Sequence, residues 1–143
     1  MRRAALLALP LALLALVLGA CGEREEPEID TSSTEPEFQI TGEWQGRLTQ
    51  KGLKPFVVRA TIASLERSKQ NTVHYAEINC SGNWDYLGAS ATAYRFREVI
   101  DRGAGKVCKG TGTVTLTPLT DDRVDYVFTG GGVNSRGVLA RQG

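Results

Sequence analysis

Tyr94-Arg95-Phe96-Arg97-Glu98-Val99-Ile100-Asp101 alternates without a break between one set of side chains and another. Successive side chains of a β-strand point to opposite faces, so the stretch reads as a strand. Tyr94, Phe96, Glu98 and Ile100 share one face; Arg95, Arg97, Val99 and Asp101 share the other. The first face is the apolar one and should be buried, yet it carries a carboxylate. A buried carboxylate must be paired, hydrogen-bonded or neutralised by a raised pKa. Glu98 therefore has two readings. It is a structural group, held in an ion pair or hydrogen-bonded network with an inward arginine such as Arg141 or capping a loop backbone; or it is a polar anchor for a ligand at the mouth of a barrel.

The same period of two extends in both directions. Upstream, Trp44, Gly46 and Leu48 oppose Glu43, Gln45 and Arg47, and Phe56, Val58, Ala60 and Ile62 oppose Val57, Arg59 and Thr61. A third run is predicted where His74, Ala76, Ile78 and Cys80 oppose Tyr75, Glu77 and Asn79, and a fourth over residues 83–88. Downstream, Val114 and Leu116 lie among Thr111, Thr113, Thr115 and Thr117; Val124, Tyr126 and Phe128 oppose Arg123 and Asp125; Gly137, Leu139 and Arg141 close the chain. Turn chemistry fills the gaps at Lys51-Gly52, Ser68-Lys69-Gln70-Asn71, Ser81-Gly82, Arg102-Gly103-Ala104-Gly105, Asp121-Asp122 and Gly130-Gly131-Gly132. The expected fold is all-β: a small antiparallel meander of about eight strands, which closes into a barrel filled by side chains and leaves no exposed edge. Within the fourth run, Trp84 and Tyr86 flank Asp85 and precede Gly88-Ala89-Ser90-Ala91. If exposed they form a candidate contact patch of rigid aromatic anchors; otherwise they pack in the core.

The N-terminus has a different grammar. Arg2 and Arg3 precede residues 4–20, which carry no charge, and Leu18-Gly19-Ala20 leads into Cys21. This is the layout of an exported signal peptide. An apolar run of this length, containing Pro10, sits at the lower limit for spanning a membrane. The small residues before Cys21 resemble the lipobox of a bacterial lipoprotein. By that resemblance residues 1–20 are removed and Cys21 carries the acyl chains, palmitate among them, that hold the protein on a membrane. Each buried methylene adds about 0.8 kcal/mol to such an anchor. In residues 22–37, seven of the sixteen are acidic and only Ile29 is a sizeable apolar residue. Such a segment cannot offset its ordering entropy and is expected to be a disordered tether with an end-to-end distance of roughly 20 to 25 Å. The expected division is thus a signal peptide over 1–20, the acylated cysteine and tether over 21–37, and the barrel over 38–143.

Loss of the signal peptide takes two arginines with it, so the 17 basic residues fall to 15 against 16 acidic ones. A near-neutral chain lacks the basic stripe that nucleic acid requires. Cys80 and Cys108 are an even pair in an exported domain and read as a disulfide. A metal reading lacks partners, because His74 is the only histidine and there is no C-x-x-C spacing. The single histidine and the absence of a G-x-S-x-G elbow also leave no recognisable nucleophile–base arrangement. Lys109-Gly110-Thr111-Gly112-Thr113 and Gly130-Gly131-Gly132 do not lead into a helix, so they read as turns or bulges rather than a phosphate cradle. Glu77, Asp85 and Glu98 are the carboxylates from which a two-acid hydrolase would have to be built. No catalytic residue, cofactor or metal is expected.

Two resemblances sharpen the expectation. Gly42-Glu43-Trp44 resembles the G-x-W that opens the first strand of lipocalin- and avidin-like barrels, where an arginine near the last strand packs over the tryptophan; Arg141 would take that place. A second resemblance runs through Trp44-Gln45-Gly46, Asn79-Cys80-Ser81-Gly82, Phe96-Arg97-Glu98-Val99-Ile100, Cys108, Gly112-Thr113-Val114-Thr115-Leu116, Tyr126 and Gly137-Val138-Leu139-Ala140-Arg141. In that order they are similar to a small extracytoplasmic domain of bacteria, especially actinobacteria, found as standalone lipoproteins and at the outer C-terminus of some membrane-anchored Ser/Thr protein kinases. The resemblance implies a Cys80–Cys108 bridge and a sensing or scaffolding role, and it supplies no catalytic residue. The expected protein is anchored by lipid in the cell membrane or outer membrane, faces the periplasm or cell wall, and binds an envelope protein or a small ligand. Its rivals are an inhibitor of a lysozyme-like enzyme, a small carboxylate-based hydrolase, and a structural part of the envelope.

Overall fold

The computed structural model describes residues 38–67, 70–105 and 107–143. The expected signal peptide, Cys21 and the acidic tether lie outside these residues. Eight strands follow one another: β1 (Gly42–Gln50), β2 (Phe56–Ile62), β3 (Gln70–Tyr75), β4 (Cys80–Ala89), β5 (Tyr94–Arg102), β6 (Thr111–Thr120), β7 (Arg123–Gly130) and β8 (Val133–Gln142). Each pairs antiparallel with the next, and β1 pairs with β8 from Glu43↔Gln142 to Gln50↔Ser135, closing the barrel. No described residue is helical.

Alternation decides what fills the interior. Trp44, Leu48, Phe56, Val58, Trp84, Phe96, Val114, Leu116, Tyr126 and Leu139 are all buried on inward positions. Burying each such side chain stabilises the barrel by about 1.5 to 3 kcal/mol. Large rings need small neighbours. Gly112 pairs with Glu98, and a Cβ there would lie 2.2 Å from Phe128 Cε2, so only glycine leaves that ring its place.

The third and fourth runs differ from expectation in register, although the strand count holds. β3 covers Gln70–Tyr75 and buries Asn71, Val73 and Tyr75, whereas residues 76–79 form the turn into β4. Asn79 adopts a φ of 51°, a left-handed conformation that asparagine tolerates and an extended strand does not allow. Gln70 and Asn71 belong to β3, not to a turn, and Ser81-Gly82 lies inside β4 at a register shift against β5. Asn71 disguised the strand because a buried asparagine looks like turn chemistry. Its side-chain oxygen accepts the N–H groups of Ala63 and Ser64 at 2.8 and 3.0 Å, and its amide donates to the Trp84 carbonyl at 3.1 Å. These bonds satisfy backbone groups where the chain leaves β2 and offset the burial of the amide.

Cys80 and Cys108 form the expected disulfide, with 28 residues of separation and Cα atoms 6.5 Å apart. Cys80 heads β4, and Cys108 lies in the loop between β5 and β6. The two ends of the barrel then differ. At the end holding residues 38–41, Arg141 sets its guanidinium carbon 4.5 Å from the centre of the Trp44 ring, the contact that the resemblance of Gly42-Glu43-Trp44 to lipocalin- and avidin-like barrels implies. It also donates to the carbonyls of Thr41 and Gln39. Trp44 Nε1 donates to Ile40 O at 2.8 Å and the Tyr94 hydroxyl to Phe38 O at 2.6 Å, which fastens the N-terminal segment across this end. The opposite end, where the β3–β4, β5–β6 and β7–β8 connections meet, holds a cavity.

Candidate functional site: a carboxyl–tyrosine cavity at one end of the barrel

The cavity lies among the ends of β1, β5 and β7 and the starts of β2 and β8. Phe56, Ile78, Ile100, Val107, Phe128 and Val133 make its apolar wall; Gln50, Lys109 and Ser135 supply polar groups; Tyr75, Glu98 and Tyr126 complete it. Cys108 also lines it, so the disulfide holds one flank of the loop in place. The cavity volume is about 20 Å³. That is room for a water-sized group, and far too little for a lipid-sized ligand.

Glu98 is only 3 % exposed and forms no salt bridge among the described residues. The expected pairing with Arg141 does not form, because Arg141 is committed to Trp44 and the carbonyls at the other end of the barrel. Neutral donors serve the carboxylate instead. The Tyr75 hydroxyl donates to Oε2 at 2.5 Å and Trp84 Nε1 donates to the same oxygen at 2.8 Å. Tyr126 Oη lies 3.0 Å from Tyr75 Oη. With the Tyr75 proton already directed to Glu98, Tyr126 is the donor of that contact, so a relay runs from Tyr126 through Tyr75 to the carboxylate. Among the described residues no group donates to Oε1.

Burial pushes the Glu98 carboxyl above its ordinary pKa, and the Tyr75 and Trp84 hydrogen bonds partly counter it. Burial likewise holds both tyrosines well above the usual phenol range, with the neighbouring Glu98 charge adding to the effect. The phenols therefore stay protonated donors throughout the physiological range. Glu98 is the group able to change state: ionised, the carboxylate only accepts; protonated, it also has a proton to offer.

The other named residues fall in different places. Trp84 is fully buried and stacked near Tyr126, with ring centres 6.1 Å apart. Tyr86 is half-buried, 5.5 Å from the Phe96 ring centre. An exposed aromatic pair is thus not formed; Trp84 contributes through its indole N–H on Glu98 rather than as a surface anchor. The three carboxylates considered for hydrolysis do not converge. Glu77 sits in the β3–β4 turn and accepts the Val57 N–H at 2.7 Å, a bond that holds its carboxyl below the usual range. Asp85 points outward on β4 and pairs with Arg97 at 3.2 Å. His74 is exposed on the outer wall of β3.

Tyr75 and Tyr126 were the site residues that sequence reasoning did not attach to Glu98. The available signal was chemical: a buried phenol needs a partner, and an inward carboxylate is the strongest acceptor the core offers. No protein-family model matches this chain, and no curated protein sequence does.

Proposed function

We propose that the protein is a lipid-anchored extracytoplasmic binding domain that acts without catalysis and receives a compact, donor-bearing head group of its ligand or partner at the Glu98 cavity. The Cys21 lipobox, the acidic tether and the Cys80–Cys108 bridge support the location. A single observation carries the binding reading: Glu98 is buried without a salt-bridge partner among the described residues, it lines a cavity, and one of its oxygens accepts no hydrogen bond from them. The buried Tyr75 hydroxyl and Trp84 indole need an acceptor at this position, and a neutral amide would supply one without the cost of burying a charge. A carboxylate in that place is accounted for if its second oxygen meets something from outside. An ammonium-type group suits the surroundings, since the carboxylate is backed by the rings of Phe56, Tyr75, Tyr126 and Phe128, which attract a cation. Lys109 lines the same cavity and its charge opposes a cation there; its side chain is exposed, so solvent screens that repulsion.

The test is a titration of the protein with methylammonium, followed by tryptophan fluorescence, because Trp84 shares the Glu98 oxygen. A saturable change is expected, strengthening as pH rises and Glu98 ionises, and lost in Glu98→Gln. No change at any pH, or the same change in Glu98→Gln, contradicts the reading.

A further inference from the structure

A second concave surface lies on the outside of the barrel, away from the cavity. Its floor crosses β2, β3, β4 and β5, and it encloses about 360 Å³. Register explains its composition. Arg59 stands opposite His74, His74 opposite Ser81, and Ser81 opposite Arg102. Residues facing one another across antiparallel strands hold their Cβ atoms roughly 4.5 to 5.5 Å apart. Two arginines therefore flank a histidine and a serine in one row across four strands, whose last step, from Ser81 to Arg102, falls at the register shift between β4 and β5. The neighbouring row, Thr61, Thr72 and Asn83, adds short side chains that carry donors and leave the depression open.

Among the described residues the one ion pair is Arg97–Asp85, which lies outside this groove, so neither of its arginines forms a salt bridge. Arg59 spends its Nε on the neutral amide oxygen of Gln45 at 3.0 Å, and the Glu77 carboxylate lies within its electrostatic reach without forming an ion pair. Arg102 forms no ion pair among the described residues either. The groove contains one carboxylate, Asp101, which accepts from Asn83 Nδ2 at 3.2 Å. Two guanidinium groups without a salt bridge, bordering a basin of hydroxyl, amide and imidazole groups, form a receptor for a compact oxyanion, since guanidinium binds planar and tetrahedral oxyanions by parallel N–H bonds.

We propose that the outer groove of β2–β5 is a phosphate-ester binding site, with Arg59 and Arg102 as the charged clamps and His74 and Ser81 at its centre. This site is independent of the Glu98 cavity, and either can fail without the other. Phosphate esters occur on soluble metabolites and on lipid head groups, and the chemistry recognised is the same.

His74 is the only histidine in the chain, so its ring Hε1 proton is a single NMR resonance at the centre of the groove. The full chain, solubilised in detergent, is titrated at constant pH with inorganic phosphate, with sodium chloride at matched ionic strength as the reference. The expected result is a saturable shift with phosphate and none with chloride. Arg59→Gln and Arg102→Gln should each weaken the affinity by about tenfold or more, as expected for loss of a charge-assisted hydrogen bond. Asp101→Asn should tighten it, and Arg47→Gln, on the outer wall beyond the groove, should leave it unchanged. Glycerol 3-phosphate and detergent micelles doped with phosphatidylglycerol then separate the sources: a shift with the former assigns a soluble ester, a shift only with the latter assigns a lipid head group. No saturable shift with any of these probes, or a shift that survives both arginine substitutions unchanged, overturns the proposal.

Discussion

At the scale of single residues, Glu98 combines burial with neutral hydrogen bonding, and this has a consequence for stability. Its folded-state pKa lies above its unfolded value, so the folded barrel holds the proton more tightly than the unfolded chain. The stabilisation from the protonated group is complete below the ordinary glutamate value near 4.5 and is lost as pH rises through the folded value. Glu77 works in the opposite direction: its carboxyl is held down by the Val57 N–H, so its contribution is present at higher pH and lost as pH falls. The difference between the wild type and Glu98→Gln isolates the buried group. Glutamine keeps an oxygen to accept from Tyr75 and Trp84, and it cannot ionise. Melting temperatures measured from below pH 4.5 to neutral should therefore fall for the wild type relative to Glu98→Gln. Equal profiles would show that Glu98 does not titrate differently in the folded state. The inward position of Glu98 was legible from the alternation of residues 94–101. Its partners were not, because Tyr75 belongs to a strand whose limits were hidden by Asn71, and Tyr126 meets it only once the sheet has closed.

At the scale of elements, the strands with clean apolar alternation were readable, and those whose inward residues are polar or very small were not. β5 and β7 bury an apolar or aromatic residue at nearly every second position. β3 buries Asn71, and β4 buries Gly82, so the pattern that marks a strand weakens where function and backbone capping intrude. The alternation through residues 74–80 is a coincidence of composition that Asn79 interrupts by turning left-handed. The β5–β6 connection is the element most dependent on a covalent tie. Its backbone bonds include Gly105 N to Cys108 O at 2.7 Å and Ile100 N to Gly110 O at 2.6 Å, and Cys108 binds it to the head of β4. Replacing Cys80 and Cys108 together by alanine should lower stability by roughly 3 to 4 kcal/mol in denaturant unfolding, the loop-closure value for a bridge of this span. A loss below about 1 kcal/mol would mean that the loop is held by packing instead.

At the scale of the whole molecule, a closed meander separates three jobs. One end is shut by Arg141, Trp44 and the N-terminal segment; the other carries the Glu98 cavity; the wall between presents the arginine-bordered groove. Closure removes free strand edges, so surface residues are released from guarding against edge-to-edge pairing. The barrel class was legible from the spacing of runs and turns. The cavity was not, because its lining is gathered from strands far apart in the chain, a property of register and closure rather than of pattern. We propose that this barrel, carried on a lipidated Cys21, binds a partner group through Glu98, and native mass spectrometry of the protein recovered from its own membrane fraction examines both halves at once. The expected species begins at an acylated Cys21 and carries a non-covalent adduct that is absent from Glu98→Gln. An unacylated species, or an acylated one that is bare in the wild type and in the variant alike, would overturn the proposal.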